Sequence, residues 1–362
     1  MDDPVLEETV PLSTARAPEV KKGLAALGII NPEAPRRHRG DIWPARLVAA
    51  RRRVPLAAGQ SQRAGRGRMT DVARVLDAGN YLGETPIWSA EDQLLWWVNC
   101  EQPAELHRWS PATGKHDIWP MPARCGGFVT KASGGLLVVL ADGLYDFDPD
   151  TTALSLRVAS PLPAHVKLHE CHCDRQGRFW VGAYDHHFPA DRNADGGFFF
   201  RLDGDRLTPV IDGIAVANGL AFSPDGRTMY ATSSPSRKIE AFDLDPETGA
   251  LFNRRTFIAL TPEDRGHIDG ATVDAEGGYW LTMVGAGELR RYRPDGTLDR
   301  IVALPFSNPT KPGFGGPDLA TLYITSTRMP INTDAPGFDA NGGLFAFVPG
   351  ECGVAEVPLA EG

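Results

Sequence analysis

The chain has 362 residues, 42% of them hydrophobic and 23% charged, with a formal net charge of -9. That is the composition of a globular chain with a sizeable core. No apolar run reaches the length of a membrane span, and an acidic balance excludes the basic face of a general nucleic-acid binder. Cys100, Cys125, Cys171, Cys173 and Cys352 form no dense framework and follow no secretory apolar segment. The expectation is therefore reduced thiols in a cytoplasmic protein that binds neither membrane nor nucleic acid, as a monomer or small homo-oligomer.

Residues 1–68 hold 13 of the 37 Lys+Arg but only 7 of the 46 Asp+Glu, with no periodicity that would bury a face. They read as a disordered extension, with Met69 directly ahead of the first strand-like run as the expected initiator. Residues 69–362 read as one domain.

From residue 84 onward one phrase recurs, a small-residue turn followed by an aromatic or aliphatic strand. It reads SAEDQLLWWVN (89–99), ASGGLLVVLA (132–141), DRQGRFWVGA (174–183), SPDGRTMYATS (223–233), DAEGGYWLTM (274–283) and GGPDLATLYITS (315–326). A second phrase follows each, as in LHRWSPATG (106–114) or IEAFDLDPETG (239–249), alternating strands that end in Asp/Pro/Gly turns. The markers Trp97, Val138, Trp180, Tyr230, Trp280 and Tyr323 recur every 41 to 50 residues. Short strands at this period, about four per repeat, predict an all-β six-bladed propeller. One blade cannot bury both faces alone, whereas a closed ring buries both against its neighbours. The run VARVL (72–76) is expected to pair with the last blade and close the ring.

Inner strands of a propeller converge on the central channel, so the residues 11 to 13 positions ahead of the markers can meet there. Glu84, His169, Asn218 and Asp269 occupy that phase in blades 1, 3, 4 and 5, while blade 2 offers only CGGF (125–128). Singly, each reads as a turn residue or a solvated side chain. Together, two carboxylates and an amide oxygen make a hard-oxygen site for one divalent cation. Asp274, by contrast, belongs to the repeated hairpin turn, and His267 stays open between lining the mouth and starting the loop.

LGETPIW, VANGLAFSPDGRTMYATSSPSRKIEAFDLD, HIDGATVDAEGGYW and TKPGFGGPDLATLYITS resemble the senescence-marker/gluconolactonase/luciferin-regenerating family over residues 69 to the C-terminus. The resemblance implies a six-bladed propeller that hydrolyses aldonolactones with a divalent metal. It places the metal ligands on Glu84, Asn218 and Asp269. At the family's third-blade Arg-x-Asn-Asp-Gly motif this chain departs, with Lys167, His169 and Glu170 at the substrate-binding positions. Lysine keeps the charge and loses the bidentate fork. His169 has three readings, hydrogen bonding to substrate, proton shuttling or direct ligation, and ligation would favour Zn, Fe or Mn over Ca.

These residues imply a lactonase in which Asp269 is both ligand and general base, and Lys167 and His169 orient the substrate. The alternatives are an arylesterase or organophosphatase on a similar propeller, and a non-catalytic metal-binding or interaction propeller. Cys171-x-Cys173 with His169 and His172 suggests a zinc knuckle but lacks a second pair; strand alternation puts both cysteines on the His169 face and His172 on the other. The loop DHHFPADRNADGG (185–197) has a length suited to a lid. Lys311 and Phe314 reach toward the channel only by analogy.

Overall fold

In a computed structural model the described residues are 72–188 and 190–360. The expected extension over 1–68 and the initiator Met69 lie outside them. The described residues form six antiparallel sheets of four strands, arranged as a ring. Five sheets run outward in chain order, as in Gly83–Ser89, Leu94–Asn99, Glu105–Trp109 and His116–Pro120. The sixth takes its outermost strand from the start of the domain: Ala73–Leu76 pairs with Leu344–Phe347, Ala73 opposite Ala346 and Arg74 opposite Phe345. This is the closure expected of VARVL, and it leaves the ring no open inner edge.

Burial grades across each blade as the sequence pattern requires. The near-continuous apolar runs become innermost and second strands such as Ala217–Phe222 and Tyr279–Val284, buried at every residue. Polar alternating runs such as Leu251–Ala259 become outer strands, largely exposed. The apolar clusters lie between blades. Val139 and Leu144 of blade 2 pack with Cys171, Phe179 and Val181 of blade 3, and Ile239 of blade 4 packs with Tyr279 and Leu281 of blade 5. Each such side chain fully buried contributes about 1.5–3 kcal/mol, but only if the neighbouring blade is present.

The repeated turn has its own anchor. Asp274 accepts the backbone N–H of Glu276 (3.0 Å) and Gly278 (2.8 Å), the indole N–H of Trp280 (2.8 Å) and Arg291 Nε (2.7 Å). Asp174 does the same in blade 3 with Gln176, Arg178 and Trp180. The phrase Asp-x-x-Gly-x-x-Trp thus couples a tight turn to the tryptophan that wedges the next strand. At this end of the ring the C-terminal segment crosses from blade to blade. Gly353 bridges Asp274, Leu359 bridges Lys131, Ala360 N–H donates to Gly177 O, and Glu356 pairs with His172 at 2.9 Å.

Candidate metal and active site

The opposite end of the inner strands is shaped by β-bulges. All six inner ladders lose register near their start, between Glu84 and Ile87, Cys125 and Gly127, Leu168 and Cys171, Asn218 and Ala221, Ile268 and Ala271, and Pro309 and Pro312. A bulge leaves a residue unpaired and re-aims side chains there. In blades 1 and 4 the residue after the polar group is left-handed, Thr85 at φ 54° and Gly219 at φ 67°. Glycine takes that conformation freely; a β-branched threonine held there costs about 1–2 kcal/mol. In blades 3 and 5, His169 and Asp269 occupy the bulge itself. The four residues are therefore not at one backbone position. Two local geometries deliver them to the same place, which is why their spacing drifts between 11 and 13.

The bulge also corrects the expected alternation. Val166, Leu168, Cys171 and Cys173 all belong to one apolar cluster. The extra residue shifts the phase, so the two cysteines share a face with Leu168 and not with His169. Burial pushes both thiols well above their ordinary range, which suits packing and not zinc. His172 does face away from them, stacked on Phe222.

Glu84, His169, Asn218 and Asp269 all line one cavity of about 180 Å³. Leu82, Phe188, Val216, Met329 and Ile331 supply apolar wall. Glu84 is buried and Asp269 is open to the cavity. The Asn218 amide nitrogen is committed to Ser234 Oγ at 2.9 Å, so its carbonyl oxygen is the atom available to a cation. Burial first, then Glu84 and Glu170, hold the Asp269 carboxyl well above the usual range, against the pull of Lys311 and an Asn218 hydrogen bond. Burial likewise raises Glu84. Two carboxylates that oppose each other's ionisation beside an amide oxygen are a donor set that a hard divalent cation fits, since its charge offsets that repulsion. His169 is held neutral, its pKa lowered by burial and by the cations Arg124 and Lys311.

Below this floor Glu170 forms a buried ion pair with Lys311 Nζ at 2.8 Å and accepts the Leu220 N–H at 3.0 Å. Blades 3, 4 and 6 are joined there. Glu170, Lys311, Phe314 and the half-buried Lys167 are not among the residues that wall the cavity; Lys167 sits opposite Tyr184 in the ladder, and Phe314 packs edge-on to Trp280. The guanidinium at the wall is Arg124, from the blade whose inner phase offers only CGGF. It stands one residue before CGGF, and a charged residue just ahead of an inner strand was the available signal. Its Nη2 donates to His169 Nδ1 at 3.1 Å and its Nη1 to Leu168 O at 3.3 Å. His267 lines the mouth, as do His186 and Phe188 of the loop read as a lid.

A second group, His165, Asp185 and His187, brings ligand atoms within 4.8 Å of one another at the start of that loop. Its imidazoles stack at 4.2 Å and 13°, so their lone pairs run side by side. Asp185 meanwhile accepts the N–H groups of His187 (2.9 Å) and Gly196 (3.0 Å), which pins the loop.

Residues 82–328 match the SMP-30/Gluconolactonase/LRE-like region. The chain is 35% identical to a 6-deoxy-6-sulfogluconolactonase of Pseudomonas putida over 68% of its own length and 84% of that protein. It is 34% identical to an L-arabinolactonase of Azospirillum brasilense, covering 78% and 94%. The crystal structure of a calcium-binding protein, regucalcin, from Agrobacterium tumefaciens superposes with a TM-score of 0.73 at 26% identity, covering 80% of this chain and 97% of that one. The motifs, the six-bladed ring and these relatives agree: the chain belongs to the SMP-30/gluconolactonase/LRE-like family.

Proposed function

We propose that this protein, a lactone-hydrolysing enzyme, is metal-dependent and opens the ester ring of a sugar-derived lactone. The observation that carries the reading is the convergence of Glu84, Asn218 and Asp269 at one cavity from three separate blades. These three residues would hold one divalent cation. When bound, it supplies Lewis acidity for the ring carbonyl and for an attacking water.

The chain's own residues do the rest. Asp269, with an oxygen facing the cavity, takes the water proton and returns it to the departing ring oxygen. His169 faces the substrate from blade 3 and orients its reacting carbonyl, backed by Arg124 of blade 2. Glu170 acts one layer down, tying Lys311 and the Leu220 backbone beneath the bulges. The apolar wall sheds water from the closed complex. A pentonolactone is named for one relative and a substituted hexonolactone for another, so both ring types belong in the test.

The test is a pH-indicator screen of pentono- and hexonolactones before and after chelation, with metal analysis of the purified protein. The expected result is one divalent ion per chain and lactone turnover that chelation abolishes and readdition restores. Turnover that survives chelation refutes metal dependence. Aryl esters hydrolysed faster than any aldonolactone would instead favour an arylesterase, and metal binding with no hydrolysis would favour a binding propeller.

A further inference from the structure

We infer that Arg124 is a positioning residue that fixes His169 in the tautomer with its proton on Nε2, making His169 a hydrogen-bond donor in the cavity and not a ligand of the cation. A guanidinium has five N–H donors and no acceptor. Arg124 Nη2 lies 3.1 Å from His169 Nδ1, so Nδ1 can only accept, and its lone pair is spent on that bond. The hydrogen of the ring then sits on Nε2. A ligating imidazole nitrogen must be bare. Nδ1 is occupied and Nε2 is protonated, so neither nitrogen is free for a metal.

The rest of the arrangement keeps the guanidinium from turning away. Its Nη1 donates to the carbonyl of Leu168, the residue just before His169, at 3.3 Å. Its Cζ lies 5.0 Å from the Tyr184 ring centroid, and the same ring meets His169 edge-on at 5.7 Å and 72°. Arg124 comes from the loop ahead of blade 2, while His169 and Tyr184 come from blade 3, so the lock is made across a blade boundary. Gly126 permits this approach. A Cβ there would lie 2.7 Å from His169 O and 2.8 Å from its Cα.

The tautomer stands on geometry alone. Its use in catalysis rests on the lactonase reading: the Nε2–H donates to the lactone carbonyl oxygen as that oxygen gains charge, and no proton leaves the ring.

The experiment is nitrogen NMR of the protein labelled with ¹⁵N-histidine, with H169Q to assign the signal. The expected spectrum has an imine-type Nδ1 and a pyrrole-type Nε2, kept in R124K, whose ammonium is also donor-only, and averaged toward both tautomers in R124M. A pyrrole-type Nδ1 in the unmutated protein overturns the inference without requiring any variant to fold. Mn²⁺ titration of H169Q should give an affinity within about twofold of the parent, because no ligand is lost; a loss of tenfold or more overturns it. In kinetics, H169Q and R124M should lower kcat on the order of 10²-fold with KM nearly unchanged. Unchanged kcat in both would overturn the catalytic role. Absence of lactone turnover in the parent would sink the lactonase reading and leave the tautomer standing.

Discussion

Asp269 and Asp274 stand five residues apart in blade 5, at opposite ends of the inner strand His267–Val273. They have opposite environments. Asp274 is fully buried and saturated by two backbone N–H groups, an indole and an arginine. Asp269 faces a cavity, beside other carboxylates that disfavour its charge. One carboxylate has partners supplied by the fold and the other awaits partners from outside it. Buried charge that is already satisfied organises structure; charge left uncompensated at a cavity is available for chemistry.

Substitutions can test this division, beginning with the largest effect. Asp269→Asn should cut lactone turnover on the order of 10⁴-fold while leaving thermal unfolding of the metal-free protein unchanged or shifted upward. Asp274→Ala should do the reverse. It strands the Trp280 indole and two turn N–H groups and takes one of the carboxylates from Arg291, which keeps Asp299 and Glu276, and should cost about 3–5 kcal/mol in urea unfolding, with kcat per folded molecule retained. Loss of activity without loss of stability in Asp274→Ala would break the division.

A smaller effect is expected with pH. The Asp269 and Glu84 carboxyls are raised above their unfolded values, so the folded metal-free protein binds more protons than the unfolded chain from about pH 4 upward. Stability contributed by these groups is present at low pH and lost as pH rises through their folded pKa values. Unfolding midpoints of the metal-free protein should fall over that window, and saturating Mg²⁺ or Ca²⁺ should flatten the fall. The smallest effect belongs to Thr85→Gly, which relieves a left-handed β-branched residue. It should stabilise by about 1 kcal/mol and lower turnover modestly, because Glu84 is then held less firmly.

How much of this was legible in the sequence follows from what each feature depends on. The ring was legible because six Asp/Gly turns, each followed by an aromatic or aliphatic strand, are local patterns that repeat. Glu84, Asn218 and Asp269 were legible because a repeat supplies its own internal alignment. The bulges were not, since a bulge is a matter of register; its only trace was a spacing that drifted between 11 and 13. Strict alternation carried across the unseen bulge misplaced Cys171 and Cys173 on the His169 face. Arg124 was missed because the search for its blade began one residue too late, at CGGF. Glu170 adjoins His169 in sequence, yet within a bulge adjacent residues need not serve the same space. It serves the layer below, with Lys311. That pairing crosses 141 residues of sequence, and nothing local announces it.

The C-terminal segment that crosses the far end of the ring, through Gly353, Glu356 and Leu359, bears on traffic through the molecule. A propeller whose channel ran clear could admit a molecule at one mouth and discharge it at the other. Here the strap runs across that end from the Asp274 turn of blade 5 to Leu359, which is sunk into the apolar core between blades 2 and 3. If the strap closes that end to a lactone, what enters the cavity lined by Phe188 and Met329 leaves by the same mouth. The hydrolysed acid and the next lactone then contend for one doorway, and inhibition by product should be competitive with substrate.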